Sequence, residues 1–417
     1  MLFNPQKIKT KDYSYNLPKK RIAQLPLKYR DSSKLLLFKN GEITEKIFNK
    51  IDEYIPRDSL MLFNDTKVIR ARLHFKKESG AVIEIFCLEP HGDKKEIQNV
   101  FLQKGSCKWT CLIGNSAKWK SGSLEKIFKY NKKDFKLVAE KERKDSDEIV
   151  ISFEWQPEEL TFSEILSATG EVPLPPYVKR DAVEMDKSRY QTVYAVNDGS
   201  VAAPTAGLHF TDDVLSKLKK KNVKFGYVTL HVGLGTFRPI KAETLKDHVM
   251  HSESIFVSRE LVEMLLANPG KKIIAVGTTV LRTIESLYWF GLKILSQPKK
   301  DFDEIQIKQW DPYCFDRDSL RWTLGDSLNA VLDTMKKKGS HYLYGETELM
   351  IVPGYNFHVA DALVTNFHMP GSSLLLLVAA FVGNDWKNVY EFALRNNFRF
   401  LSYGDSSLLF KNQNNYV

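Results

Sequence analysis

From Thr211 to Leu287 the chain alternates helix and strand signals at short intervals, and few folds accept that order. Thr211 is a capping residue, Asp212 and Asp213 suit the first turn of a helix, and Val214, Leu215 and Leu218 recur at helical spacing. Val228, Leu230 and Val232 then alternate with Tyr227, Thr229 and His231, as a strand with two distinct faces does, until Gly233-Leu234-Gly235-Thr236 breaks the pattern. A second helix is predicted after Ser258, ending near Asn268-Pro269-Gly270. The apolar strand Ile273 to Val276 follows, then Gly277-Thr278-Thr279 and a third helix through Leu287. Helices joining consecutive short strands make those strands parallel, so this half of the chain predicts a large α/β domain.

A different pattern occupies Ala81 to about Val150. Short β-rich pieces such as Ala81-Val82-Ile83-Glu84-Ile85-Phe86-Cys87-Leu88 are separated by Gly, Asn and charge clusters, which reads as a small β domain. Its limits are set at 66 and 151, leaving 1–65 and 152–417 to form the large domain around it. Residues 292–340 mix charge with scattered aromatics and are assigned only as helix and loop.

Composition narrows the class. A chain of 417 residues that is 43% hydrophobic can bury two or three domain cores. The net charge of +10 is compatible with a polyanionic partner, and residues 100–150 hold 12 Lys and Arg against 7 Asp and Glu. For the mixed-sign run Lys126 to Lys144 a solvated hairpin surface is the simpler reading. Four cysteines, with Cys107 and Cys111 lacking a second pair at zinc-ligand spacing, point to a reduced, cytoplasmic setting. The run Leu374 to Val382 is far short of the ~20 apolar residues that a membrane span needs.

In open α/β sheets ligands sit beyond the carboxyl ends of the strands, so the two strand ends at Gly233 to Thr236 and Gly277 to Thr279 are candidate ligand loops. The second opens a helix whose free N–H groups and hydroxyls suit a carboxylate or phosphate, with Arg282 one turn inside; a plain helix cap is the alternative. The stretch Gly199 to Thr211 is rich in small residues and has neither helical nor strand period, as expected where something approaches the backbone. His248, His251 and Glu253 are possible metal ligands but lack the His-Glu-x-x-His order. A hydrolase built on Ser200, Asp198 and His209 or His231 lacks the Gly-x-Ser-x-Gly elbow. Tyr190, Tyr194, Phe210 and Phe237 suit either base stacking or core filling. Asp405 either orients a base or caps its turn.

Taken together, Arg189-Tyr190-Gln191-Thr192-Val193-Tyr194-Ala195 followed by Gly199 through Thr211 resembles the signature of the S-adenosylmethionine:tRNA ribosyltransferase-isomerase family. The likeness continues at Asn64-Asp65-Thr66, Gly170 to Tyr177, Leu230 to Pro239, Met250 to Glu253, Ala275 to Thr279, Thr365 to His368 and Ser402 to Asp405. It spans essentially the whole chain. Lys67 and Arg70 stand where the family pattern has Arg and Pro, Gly371 where it has a basic residue, and Ser406 where it has Ala.

The resemblance implies a mixed α/β domain with a β-barrel inserted near its N-terminal third. It also implies a reaction in which the 7-aminomethyl-7-deazaguanine (preQ1) base at the tRNA wobble position receives the ribosyl unit of S-adenosylmethionine, giving epoxyqueuosine while adenine and methionine leave. S-adenosylmethionine is then a co-substrate, no cofactor or metal is held permanently, and the enzyme is a monomer whose RNA partner is the anticodon stem-loop. A sulfonium acidifies the neighbouring ribose C5′ hydrogens, and histidine is suited to remove one. His209 or His231 is expected as base or as proton donor to adenine, with Asp198 and Asp405 placing the amine or the ribose hydroxyls. Gly233, Gly235, Thr236, Phe237, Thr278, Thr279, Arg282 and Tyr194 are expected around S-adenosylmethionine, with Arg282 and the two threonines on the methionine carboxylate and Tyr194 or Phe237 on adenine. Lys67, Arg70 and Arg238 are expected on anticodon phosphates. Two other classes stay open at this point: a tRNA-binding protein without chemistry, and a metal-dependent hydrolase using His248, His251 and Glu253.

Overall fold

The computed structural model describes residues 4–92, 97–145, 148–231, 233, 239–315 and 321–412. Among them a ten-stranded sheet forms the centre of the large domain. Its strands in chain order are β1 (Lys34–Lys39), β2 (Glu42–Ile47), β3 (Leu60–Asn64), β4 (Lys224–Leu230), β5 (Glu253–Ser258), β6 (Ile273–Val276), β7 (Ile305–Ile307), β8 (Tyr342–Thr347), β9 (Ala362–Asn366) and β10 (Ser406–Phe410). Across the sheet they run β7-β8-β5-β4-β3-β6-β9-β10-β1-β2. The central four, β4, β3, β6 and β9, are mutually parallel, as the alternation of helix and strand signals requires.

Side-chain alternation along these strands makes two apolar faces. Leu60, Leu62, Ile273 and Ala275 join a core covered by the helices Arg259–Leu266, Thr278–Ser296, Leu324–Lys337 and Ser373–Val382. Met61, Phe63, Ile274 and Val276 face the other way, onto Val214 and Leu218 of the helix Asp212–Lys220. Thr211 caps that helix as expected, accepting from the Val214 N–H at 3.3 Å, and Ser258 caps the next, accepting from the Leu261 N–H at 3.2 Å.

Two expectations change. The helix opened by Gly277 does not stop at Leu287 but runs to Ser296, because every residue from Thr278 to Leu292 is buried. Residues 292–340, read as helix and loop, also contain β7, a three-residue edge strand paired in parallel with β8. The long helix crosses Leu324–Lys337 so closely at Gly291 that an added Cβ would lie 2.1 Å from Ser327 Oγ and 2.2 Å from Ser327 O. Gly291→Ala is therefore expected to destabilise the protein by about 1–3 kcal/mol through overpacking, read as a lower urea midpoint at constant slope. An unchanged midpoint would mean that the two helices separate at little cost.

The second sheet has seven strands, in the order Gly170–Glu171, Arg72–Lys76, Val82–Pro90, Ser106–Gly114, Glu148–Gln156, Lys133–Asp145 and Leu124–Tyr130. Every pairing is antiparallel, and the sheet curls until Arg72–Lys76 comes against Leu124–Tyr130, a half-barrel around Trp109, Trp119, Phe135 and Phe153. The mixed α/β fold with an inserted β domain is thus the architecture observed. The 151/152 limit falls inside the strand Glu148–Gln156, and Phe162, Ile165 and Leu166 of the following helix fill the barrel core.

Candidate active site

The parallel strands bring their carboxyl ends to one edge of the sheet. There Asn64, at the end of β3, accepts from the backbone N–H groups of Thr66 and Leu230, both at 3.1 Å, and donates to the Leu230 carbonyl at 2.9 Å. This side chain fixes the exit of β4, and the next residue is His231. His231 Nδ1 lies 3.0 Å from Thr66 Oγ1, whose hydroxyl has the Asn197 carbonyl as its acceptor at 3.5 Å. With the Thr66 hydroxyl donating to that carbonyl, Nδ1 carries the proton and Nε2 a lone pair. Nε2 is buried and has no hydrogen-bond partner. The ring packs directly on Gly199, where an added Cβ would sit 2.4 Å from His231 Cε1, so the absence of a side chain at 199 is what admits the imidazole.

Further along the same edge, where β6 and β9 end, lies a cleft with about 680 Å³ of empty volume, walled by Thr205, Ala206, Thr278, Thr279, Asn366 and His368 among others. Gly277, at φ 102°, turns the chain out of β6 so that the helix Thr278–Ser296 points its free N–H groups at this cleft. Asn366 accepts from Thr205 Oγ1 at 3.0 Å and donates to the Leu401 carbonyl at 3.2 Å, and its Nδ2 also lies 3.3 Å from His209 Nε2. With Nε2 accepting, His209 carries its proton on Nδ1, 3.0 Å from Ser33 Oγ. His209 is thus bonded on both sides and 4% exposed, whereas His231 keeps an open nitrogen.

The other expected residues fall in several places. Lys67 and Asp198 pair at 3.4 Å and, with Arg70, line a second, polar cavity of about 710 Å³ against the helix Phe162–Thr169. Arg70 also donates to the Ser167 carbonyl. Arg282 is turned away from the cleft: Nη1 pairs with Glu253 at 2.6 Å, Nε donates to the Leu349 carbonyl at 3.0 Å, and both side chains are 5% exposed. The Tyr194 ring stands edge-on to Phe63 at 4.8 Å, in the packing behind β3. Asp405 accepts from the backbone N–H groups of Arg399 at 2.7 Å and Lys34 at 3.1 Å, which closes the turn before β10. Gly233 is exposed, and Gly235, Thr236, Phe237 and Arg238 lie outside the described residues. Ser200 Oγ donates to the Ala202 carbonyl at 2.6 Å and so is not aimed at a histidine. Glu253, a possible ligand of the metal reading, is the carboxylate held by Arg282, and among the described residues no three His, Cys, Asp or Glu are grouped to hold a metal ion.

Residues 10–409 match the family of the queuosine biosynthesis protein. The chain belongs to that family. An S-adenosylmethionine:tRNA ribosyltransferase-isomerase of Halothermothrix orenii is 38% identical over 409 residues, covering 96% of this chain and 100% of the relative. The protein of the same name from Thermotoga maritima is 37% identical over 407 residues, again 96% and 100%. A crystal structure of an S-adenosylmethionine tRNA ribosyltransferase from Thermotoga maritima, at 2.00 Å resolution, aligns at 28% identity with a TM-score of 0.45, covering 95% of this chain and 99% of that one.

Seen from within the family, sequence reasoning missed the side chains that hold the two histidines: Ser33 and Asn366 on His209, Thr66 on His231. Thr66 and Asn366 stand inside family motifs, but motif membership alone assigns no partner. Ser33 is 176 positions from His209, and only the fold brings them together.

Burial sets the charge of these groups. It pushes His209 down to about 3 and His231 to about 4, so both are neutral at physiological pH. His209 thus stays neutral in the folded protein where the unfolded chain, with histidine near 6.5, already takes a proton. Its contribution to stability is complete above about pH 6.5 and is lost as pH falls from there toward 3. Lowering the pH from about 7.5 to about 5.5 should cost about 1.4 kcal/mol through His209 alone. His231, His358 and His368, also pushed down by burial but less enclosed, add in the same direction. A denaturation midpoint that is flat across that window would contradict neutral buried histidines.

Proposed function

We propose that this chain is a tRNA ribosyltransferase-isomerase that moves the ribosyl part of S-adenosylmethionine onto preQ1 at the tRNA wobble position, giving epoxyqueuosine and releasing adenine and methionine. The observation that carries the reading is the carboxyl edge of the sheet. There the segments around Ala203, Gly277 and Asn366, distant in sequence, wall one cleft, and along the same edge, at the end of β4, His231 keeps an open imidazole nitrogen.

In this reading Thr278 and Thr279, with the helix N–H groups behind them, hold the methionine carboxylate. Arg282 lies one turn deeper in the same helix, held there by Glu253 and the Leu349 carbonyl. His231 Nε2 removes the C5′ proton beside the sulfonium and returns it to adenine as the C1′–N bond breaks; the aminomethyl nitrogen attacks the ribosyl carbon and gives up a proton to solvent, and methionine leaves with the C5′–S electron pair as the ring rearranges. His209, with both nitrogens committed, orients Asn366 at the cleft wall. Asp198, which precedes the Gly199 that the His231 ring packs on, is assigned to placing the amine. Gly233, Gly235, Thr236 and Phe237 are assigned to S-adenosylmethionine, and Lys67, Arg70 and Arg238 to RNA phosphates, on their place in the sequence motifs. The reading carries with it a monomeric cytoplasmic enzyme without a permanently bound cofactor.

The test is a single-turnover incubation with S-adenosylmethionine and an anticodon stem-loop, with and without preQ1 in the wobble position. Adenine released only with the modified RNA supports the reading. RNA that binds without adenine release in either case would leave a binding protein, and adenine release without RNA would make it a hydrolase of S-adenosylmethionine.

A further inference from the structure

A third cavity, of about 280 Å³, adjoins the cleft, with Ser402 lining both. Three arginines are among the residues that line it: Arg30, Arg189 and Arg399. Their placement is reciprocal. Arg30 donates to the backbone carbonyls of Gln191 at 3.0 Å and Ser188 at 3.2 Å, while Arg189 donates to those of Lys28 at 2.9 Å and Leu27 at 2.8 Å. Two loops far apart in sequence are clasped by cations held near each other. Arg399 reaches Asp405 at 3.5 Å, but among the described residues Arg30 and Arg189 form no ion pair. Asp31 and Asp212 are near enough to favour the charge on Arg30 only through space, and burial together with Arg189 works against it. A guanidinium has five donors, and each of these two uses no more than a pair of them on carbonyls.

Two partly buried, adjacent cations without a carboxylate are costly in the free protein, and an anion with several oxygens removes that cost. A carboxylate of S-adenosylmethionine is the poorer occupant, because its ammonium and sulfonium would meet three arginines. We propose that the pocket holds one backbone phosphate of the RNA next to the nucleotide being modified, with Arg30 and Arg189 as its ligands. The proposal rests on the reading that RNA is the substrate. It gives the anticodon loop a fixed point beside the cleft, through Ser402, and so sets which nucleotide reaches the cleft.

The test is equilibrium binding of synthetic anticodon stem-loops in which each loop phosphate in turn is an uncharged methylphosphonate, to the wild-type protein and to Arg189→Gln and Arg189→Lys. The expected result is one sensitive position, adjacent to the target nucleotide, where methylphosphonate flattens the dependence of log K on log salt by about 0.7–1. Arg189→Gln should bind the all-phosphate RNA with the same flattened slope and lose no more at that position, while other positions keep their effects. Arg189→Lys should recover most of the slope. Equal losses at every position in Arg189→Gln would overturn the assignment, as would a wild-type protein insensitive to every single substitution. A higher Michaelis constant for S-adenosylmethionine with RNA binding unchanged would give the pocket to the methionine carboxylate and overturn it too. Because the readout is binding by the intact wild-type chain, it stands whether or not adenine is released, and so fails separately from the proposed reaction.

Discussion

Replacing His231 by Gln should slow adenine release by about 10²- to 10⁴-fold, the range lost when a positioned general base is removed. The expectation follows from the asymmetry of the two histidines. Both are buried and neutral, yet His209 is bonded through Nδ1 to Ser33 and through Nε2 to Asn366, whereas His231 uses Nδ1 on Thr66 and leaves Nε2 without a partner. Glutamine is similar in size and can still reach Thr66, so the affinity for S-adenosylmethionine and the thermal midpoint should change little. Conversion of His209 to Gln should instead lower stability and disturb Asn366. A His231→Gln protein that releases adenine at the wild-type rate would remove His231 from the chemistry.

The second large effect is structural. Arg282→Met should destabilise the protein by about 3–5 kcal/mol, because it leaves the Glu253 carboxylate buried without its cation. The two groups are 2.6 Å apart and each 5% exposed, so water cannot take the place of the missing partner. Adding Glu253→Gln to the same chain should recover part of the loss, since the two positions share one interaction and their effects are not additive. Unchanged stability with a raised Michaelis constant for S-adenosylmethionine would show that Arg282 serves the ligand directly, as its place one turn into the helix first suggested.

That contrast shows what local sequence conveys. The capping residues Thr211 and Ser258, the period of the strands and the Gly turn at 277 are decided by neighbours a few residues away, and the structure has them where the pattern puts them. The reach of the helix beyond Leu287 is not so decided. Trp289, Phe290 and Leu292 continue it because they are buried in the core shared with the sheet and the helix Leu324–Lys337, and a stretch buried on every face has no apolar period to read. β7 escaped notice because the alternation of Ile305-Gln306-Ile307 is too short to stand out from its surroundings, and the strand exists through its pairing with β8.

The site was legible in the same measure. Of the two strand-end loops, the one at Gly277 to Thr279 lines the cleft. The partners of each polar group were not legible. Tyr194, with an aromatic ring among small residues, reads equally as a stacking platform, but Gly207 lets its hydroxyl in and Phe63 takes its edge. Arg30 and Arg189, 159 positions apart, meet only because each loop supplies the carbonyls that hold the other's arginine.

The most direct test of the whole account is the mass of an anticodon stem-loop carrying preQ1 after incubation with the protein and S-adenosylmethionine. The account predicts a gain equal to S-adenosylmethionine less adenine and methionine, confined to the wobble nucleotide. A gain of a single methyl group, or an unchanged mass with S-adenosylmethionine consumed, would contradict it.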